Sequence, residues 1–127
     1  MNFNPSQLPE IDAVEVVKLV GVNAGNVSKY MQKAVNAPYV RVADELAQQI
    51  VDLWRQLPSG MSARCHTPPF GLRFYLRGEL SLQASICWRC NNIYGYAKGN
   101  KVSFAFDAES EPSRKLLSLC KKIFASR

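Results

Sequence analysis

The sequence predicts an α+β domain: N-terminal helices, a four-stranded antiparallel meander and a C-terminal helix packed on the sheet. Three observations carry this. Apolar and polar residues alternate strictly through Leu72–Trp88. An apolar stripe at helical spacing runs through Arg41–Leu57, and a second one ends the chain. Alternation marks a strand with one buried face, and the 3.6-residue period marks a helix with one buried side.

In the hairpin, Leu72, Phe74 and Leu76 alternate with Arg73, Tyr75 and Arg77, and Leu80, Leu82, Ala84, Ile86 and Trp88 alternate with polar neighbours. Gly78 lies between the runs and can take the positive φ of a tight turn. A two-residue loop at Arg77-Gly78 sets Tyr75 opposite Leu80 and splits the apolar rows between faces. A three-residue loop, Arg77-Gly78-Glu79, sets Leu76 opposite Leu80, Phe74 opposite Leu82 and Leu72 opposite Ala84, and is therefore the expected register. The outer face then carries Arg73 beside Gln83, Tyr75 beside Ser81, and Cys87 and Arg89 further along. Extended the same way, Tyr94 and Tyr96 face Val102, Phe104 and Phe106 across a Lys98-Gly99-Asn100 loop. A Cys90-Asn91-Asn92 loop keeps Trp88 and Tyr94 on one face. Helices must cover that apolar, aromatic face.

Length sets the frame. A chain of 127 residues is one domain with room for a real core: residues 1–60 mostly helical, 61–107 the meander, 108–127 the last helix. No apolar run approaches the ~20 residues of a membrane helix. Met1–Pro5 lacks a basic and then apolar leader, so no signal peptide, no membrane partner and a cytoplasmic location are expected. Four cysteines in such a setting point to thiols or metal ligands rather than disulfides. The net charge of +6 arises after Gly60; the residues before it are close to neutral. A basic half suits an acidic partner, either nucleic acid or an acidic protein face, and it also simply aids solubility.

The remaining elements follow in order. Met1–Glu10, with Pro5 and Pro9, is an irregular lead-in. Asp12–Val20 reads as a short helix ended by Gly21, with a strand as the competing reading because Val14, Val16, Val17 and Val20 are β-branched. Asn26 can cap a second helix to about Val35. In the Arg41–Leu57 helix, Val42, Leu46, Ile50, Leu53 and Leu57 form the stripe, and Trp54 borders it, placed to help cap the sheet. Acidic residues near its start and Arg55 near its end suit the helix dipole. Pro68-Pro69 keeps Met61–Phe70 out of a central strand. Ser110, Glu111 and Pro112 open the last helix, whose stripe is Leu116, Leu117, Cys120, Ile123 and Phe124.

Candidate chemistry is sparse. Cys87-Trp88-Arg89-Cys90 is a C-x-x-C at a strand end, the position of a zinc knuckle, and Cys65 and His66 would complete a Cys3His set. Neighbours on an extended chain point apart, which makes joint ligation by Cys65 and His66 awkward. Structural half-buried thiols are the competing reading, and no cofactor other than a possible zinc is expected. A thioredoxin-like redox role is disfavoured because that motif belongs at a helix N-terminus. Cys120 reads as core. With one histidine and scattered carboxylates, a Cys–His nucleophile pair has no evident orienting group, and no enzyme is expected. Arg73, Tyr75, Arg77 and Arg89 are the candidate partner-binding residues. Such an Arg/Tyr face can stack on bases, anchor a protein interface or simply be solvated.

Two segments, Ala63–Phe74 with its Cys65-His66 and Gly71-Leu72-Arg73-Phe74, and Ser85-Ile86-Cys87-Trp88-Arg89-Cys90-Asn91-Asn92, resemble a pattern in small bacterial proteins. Some of those look like immunity partners of polymorphic or contact-dependent toxins. Phe70 separates Pro69 from Gly71 here, and the first half of the chain lies outside the match. The resemblance implies a cognate protein toxin as partner and carries over no binding residues. The positive charge departs from the acidic immunity proteins that face nucleases. The expected function is a non-enzymatic protein-binding module, most specifically such an immunity protein. The alternative is a small zinc-stabilised nucleic-acid-binding protein.

Overall fold

The computed structural model describes residues 3–19 and 37–126. Their strands are β1 (Ala13–Lys18), β2 (Tyr39–Ala43), β3 (Phe70–Leu76), β4 (Glu79–Cys87), β5 (Asn92–Ala97) and β6 (Asn100–Ala105); the helices are α1 (Asp44–Arg55) and α2 (Glu111–Ala125). A short 3-10 turn, Pro5–Gln7, precedes them. The strands form one six-stranded antiparallel sheet in the order β2-β1-β3-β4-β5-β6. Among the described residues no helix is long and apolar enough to cross a membrane.

The sheet corrects the expected four-stranded architecture with N-terminal helices. Asp12–Val20 contains β1, and β1 is an interior strand paired with both β2 and β3. Val14 and Val16 point to the helices, while Ala13 and Val17 are buried on the opposite side. A strand buried on both faces loses the period-2 signal and reads as a continuous apolar run. Its β-branched content was the true indicator. Tyr39-Val40-Arg41-Val42 alternates and pairs with β1, so the central helix starts at Asp44 rather than Arg41. The helix expected from Asn26 lies outside the described residues.

Register departs from the expectation in an instructive way. The β3–β4 loop is the two-residue turn Arg77-Gly78, with φ of 48° and 81°. Two positive φ angles in succession match the twist of a hairpin, which a longer loop does not need to do. Tyr75 therefore pairs with Leu80, not Ser81. A bulge then takes up Ser81 and restores the parity, so Phe74 meets Leu82, Arg73 meets Gln83 and Leu72 meets Ala84. The β5–β6 loop is likewise two residues, Lys98-Gly99, with φ of 50° and 82°. No bulge compensates there. The β4–β5 connection is Trp88–Asn91 rather than the expected Cys90-Asn91-Asn92, so Ile86 pairs with Ile93 and Ser85 with Tyr94; Ile93 and Gly95 face the helices, and Tyr94 and Tyr96 face away, opposite Ser103 and Lys101. Gly95 fixes this choice. A Cβ there would meet the Ala84 Cα at 2.8 Å, so no larger residue fits against β4.

Both helices lie on one face. α1 buries Ala47, Ile50, Val51 and Trp54, with Leu46 and Leu53 at the margin. The buried stripe is thus rotated by about one residue from the expected one, and Trp54 is at its centre. The Trp54 ring meets Phe74 edge-on at 5.0 Å. α2 buries Leu116, Cys120 and Ile123, and Phe124 stacks on Phe70 at 5.8 Å. Ser110 caps α2 by accepting from the Ser113 N–H. Trp88 has left the strand and donates its indole N–H to the Ser113 carbonyl, 2.8 Å away. A fully buried residue such as Phe74 contributes on the order of 2–3 kcal/mol of apolar burial.

The two-residue turn makes a direct prediction. Gly78→Ala forces a Cβ into a left-handed conformation and should cost about 1 kcal/mol. Arg77→Asn, a residue that accepts positive φ, should gain roughly 0.5 kcal/mol. Urea unfolding measures both. Midpoints unmoved by either change would contradict the turn.

Candidate functional site

The face of the sheet opposite the helices holds the candidate chemistry in two adjoining regions. The first is centred on Glu15 in β1. Register places Glu15 between Arg41 of β2 and Arg73 of β3, each directly opposite it. Arg41 Nη1 is 3.3 Å from Glu15 Oε2, and Arg73 Nη1 is 3.4 Å from Oε1. The Tyr75 hydroxyl donates to the same Oε1 at 2.9 Å. Arg41 also lies over the Tyr75 ring, 5.0 Å from its centroid. Burial, then the bond to Glu15, pushes the Tyr75 hydroxyl pKa above its ordinary value. One carboxylate therefore orders two guanidinium groups and a phenol on one face. Cross-strand charge pairs of this kind each contribute a fraction of a kcal/mol.

The four residues expected to bind a partner do not form one cluster. Arg73 and Tyr75 lie mid-face within the Glu15 network, with 12% of the Arg73 side chain exposed. Arg77 is exposed at the hairpin turn, where its backbone N–H binds Asp12 Oδ2 at 3.0 Å. Arg89 is exposed in the β4–β5 turn, at the other end of the sheet. At ~3.4 Å per residue, the length of β4 separates Arg77 from Arg89 by roughly 30 Å. What sequence reading missed are Arg41 on β2, Glu15 on β1, and Tyr94 and Tyr96 on β5. The alternation Tyr39-Val40-Arg41-Val42 was the available signal for the first of these.

The second region is a strap. Residues 60–69 cross the same face over the ends of β4 and β5. His66 Nε2 is 2.7 Å from Ser85 Oγ, and His66 Nδ1 is 2.7 Å from Asn92 Oδ1. Asn92 Nδ2 faces three acceptors, Ser62 Oγ at 3.1 Å and the carbonyls of Ala63 and Cys65 at 3.1 and 2.8 Å. Only the amide nitrogen can donate to these, so Oδ1 must accept from His66. In neutral His66 that places the proton on Nδ1, and Nε2 accepts from Ser85. The His66 ring packs edge-on against Tyr94 at 4.5 Å. Desolvation holds the His66 pKa below the usual imidazole value, opposed by the bond to Asn92.

Ser85, His66 and Asn92 are thus linked in the order of a hydrolase triad. Ser85 is fully buried in β4, however, and its oxygen also lies 3.3 Å from the Tyr94 carbonyl. It offers no oxygen to a substrate, and the three residues act as a fastener for the strap.

The four expected metal ligands converge on this end of the sheet, but not around a common point. The sulfurs of Cys65 and Cys90 are bonded to each other across a Cα separation of 5.6 Å. Both nitrogens of His66 are engaged as described. Cys87 is a buried thiol whose sulfur accepts from the N–H groups of Cys90 and Thr67, at 3.1 and 3.4 Å. No group of three or more potential ligands capable of holding a metal ion occurs among the described residues. The disulfide replaces the expectation of four thiols or ligands. It was hidden because Cys65 and Cys90 are brought together only when the strap folds back over the sheet. Cys120 is buried in α2, where desolvation pushes its thiol up to about 12.

Comparison of the chain with protein-family models, with curated proteins and with solved structures returns no match.

Two outcomes follow. Because His66 is held below its unfolded pKa, the unfolded state binds the extra proton first as pH falls. Its share of stability is complete above about pH 6.5 and is lost on acidification through the window just below. The stability difference between wild type and His66→Gln should therefore shrink from about pH 7.5 to about pH 5 in parallel urea titrations. A difference constant across that range would contradict the assignment. Glu15→Gln removes the charge shared by two cross-strand pairs and weakens the Tyr75 bond, and should cost about 1–2 kcal/mol in the same assay. A loss under about 0.3 kcal/mol would show that the network is ornamental.

Proposed function

We propose that the chain is a non-enzymatic, cytoplasmic protein-binding module that engages an acidic protein surface with its open sheet face. One observation carries this reading: among the described residues α1 and α2 both pack on one side of the sheet, and the other side carries Arg41 and Lys101, exposed, Tyr75, Tyr94 and Tyr96, half-buried, and Arg73, with only its edge exposed. Tyr and Arg are the residue types that anchor interface hot spots. Glu15 holds two of the arginines in place before any partner arrives, which lowers the ordering cost of binding. Outward strand positions carry three cations, Arg41, Arg73 and Lys101, against the one carboxylate Glu15, so the face keeps a positive surplus. Tyr39, 51% exposed, extends it at the β2 edge.

The finer form of the reading is an immunity protein that blocks a toxin by occlusion, with electrostatic steering of the encounter. It rests on the resemblance of the cysteine-bearing segments. Arg77 and Arg89 lie at opposite rims of the face and would steer a partner rather than anchor it.

Titration of the labelled protein with polyglutamate, followed by NMR, tests the surface. Amides of Arg41, Arg73, Tyr75 and Lys101 should shift, and Arg41→Glu should abolish the shifts while the helix resonances stay put. Shifts confined to the helical face would refute the proposal. So would tighter binding to a random-sequence RNA with a steep salt dependence, which would favour nucleic-acid recognition.

A further inference from the structure

Three of the four cysteines meet at the strap, and only two of them are bonded. We propose that Cys65, Cys87 and Cys90 form a thiol–disulfide exchange centre that delivers a reactive thiol at Cys65, able to react with small aliphatic disulfides. The Cys87 sulfur lies against the backbone on either side of the existing disulfide. It accepts a hydrogen bond from the amide of Cys90 itself at 3.1 Å and from the amide of Thr67, two residues past Cys65, at 3.4 Å. From standard bond lengths, a sulfur at that distance from the Cys90 nitrogen is within about 7 Å of the Cys90 sulfur. Attack on that sulfur takes a rotation of the Cys87 side chain together with a shift of the Trp88–Asn91 turn that carries Cys90, across the short C-x-x-C spacing.

The exchange balances without an outside oxidant. Cys87 loses its proton as the strap shifts and opens it to solvent, and the thiolate attacks the Cys90 sulfur. The Cys87–Cys90 bond forms as the Cys65–Cys90 bond breaks, and the bonding pair leaves on Cys65, which takes up a proton or stays a thiolate. One thiol and one disulfide stand on each side. The consequence is positional: a free thiol moves from Cys87, which is fully buried, to Cys65, which belongs to an exposed stretch of the strap. The Cys65 thiolate can then attack a small disulfide, forming a mixed disulfide and expelling one thiolate. This is unlike a thioredoxin-type pair at a helix N-terminus, since the acting dithiol here ends a strand. Cys120 takes no part, being buried among the residues of the core on the helical side.

The sequence makes the experiment clean. Trypsin cuts after Arg64, Arg73, Arg77, Arg89 and Lys98, so Cys65, Cys87 and Cys90 fall on three separate peptides. The oxidised, folded protein is incubated with glutathione disulfide, quenched in acid, digested and mapped by mass spectrometry. The expected result is glutathione on the Cys65 peptide together with a Cys87–Cys90 crosslink. Loading at Cys65 should fall by at least about ten-fold in Cys87→Ser and be unchanged in Cys120→Ser. Should Cys87→Ser not fold, Cys87→Ala with its circular dichroism checked serves instead. Glutathione on the Cys87 peptide with Cys65–Cys90 intact, loading of Cys65 at the wild-type rate without Cys87, or no loading of the wild type would each overturn the proposal.

Discussion

A strand sends successive side chains to opposite faces, and everything this protein presents depends on that parity being kept across five inter-strand pairings. At the β3–β4 hairpin the two-residue turn would put Leu72 and Phe74 out of phase with Leu82 and Ala84. The bulge at Ser81 absorbs the extra residue and brings them back. At the β4–β5 connection, Trp88–Asn91 pairs Ser85 with Tyr94 and Ile86 with Ile93, and the tyrosines of β5 turn outward. The helices can bury only one face, so these two local decisions determine which residues become core and which become surface. Glu15 is where the decision is felt most sharply. A carboxylate at an interior strand position is tolerable only because Arg41, Arg73 and Tyr75 have been brought to the same face.

Much of this was legible. The alternation of Leu72–Trp88 located β3 and β4 and the pairs Leu72–Ala84, Phe74–Leu82 and Arg73–Gln83, although for a loop of the wrong length. The turn and its bulge cancel from Leu82 on, so the apolar pattern there is the same either way, whereas Leu80, expected opposite Leu76, pairs with Tyr75 and is exposed. Ser110-Glu111-Pro112 and the stripe through Ile123 located α2. What escaped were β1 and β2. β1 is covered on both sides, so it lacks alternation, and β2 shares its last residues with the apparent helical stripe. The tyrosines of β5 misled for a different reason. Aromatic mass suggested core, whereas a Tyr ring with its hydroxyl also suits a half-covered outer face. Gly95, which gives no hydropathy signal, was the residue that decided the matter, through the room it leaves for β4.

The strap joins the two regions of the outer face. Asn92 reads three strap acceptors at once, His66 fastens to Ser85 and packs on Tyr94, and the disulfide ties the strap to the β4–β5 turn. A covalent tie closing a span of 25 residues mainly restricts the unfolded chain. The polar contacts are what orient the strap in the folded one. The tyrosine-and-arginine surface, half-buried apart from Arg41, begins where the strap ends, with Tyr94 in both. A change in the sulfur pairing would thus act at the border of the surface proposed to meet a partner.

The outward placement of the β5 tyrosines is the claim on which the open face stands, and nuclear Overhauser contacts measure it directly. The Tyr94 ring should show cross-peaks to His66 and to the Ser85 and Ser103 side chains, with none to α2. Cross-peaks from Tyr94 to Leu116 or Ile123 would place it under the helices, reverse the parity of β5 and β6, and remove the surface described above.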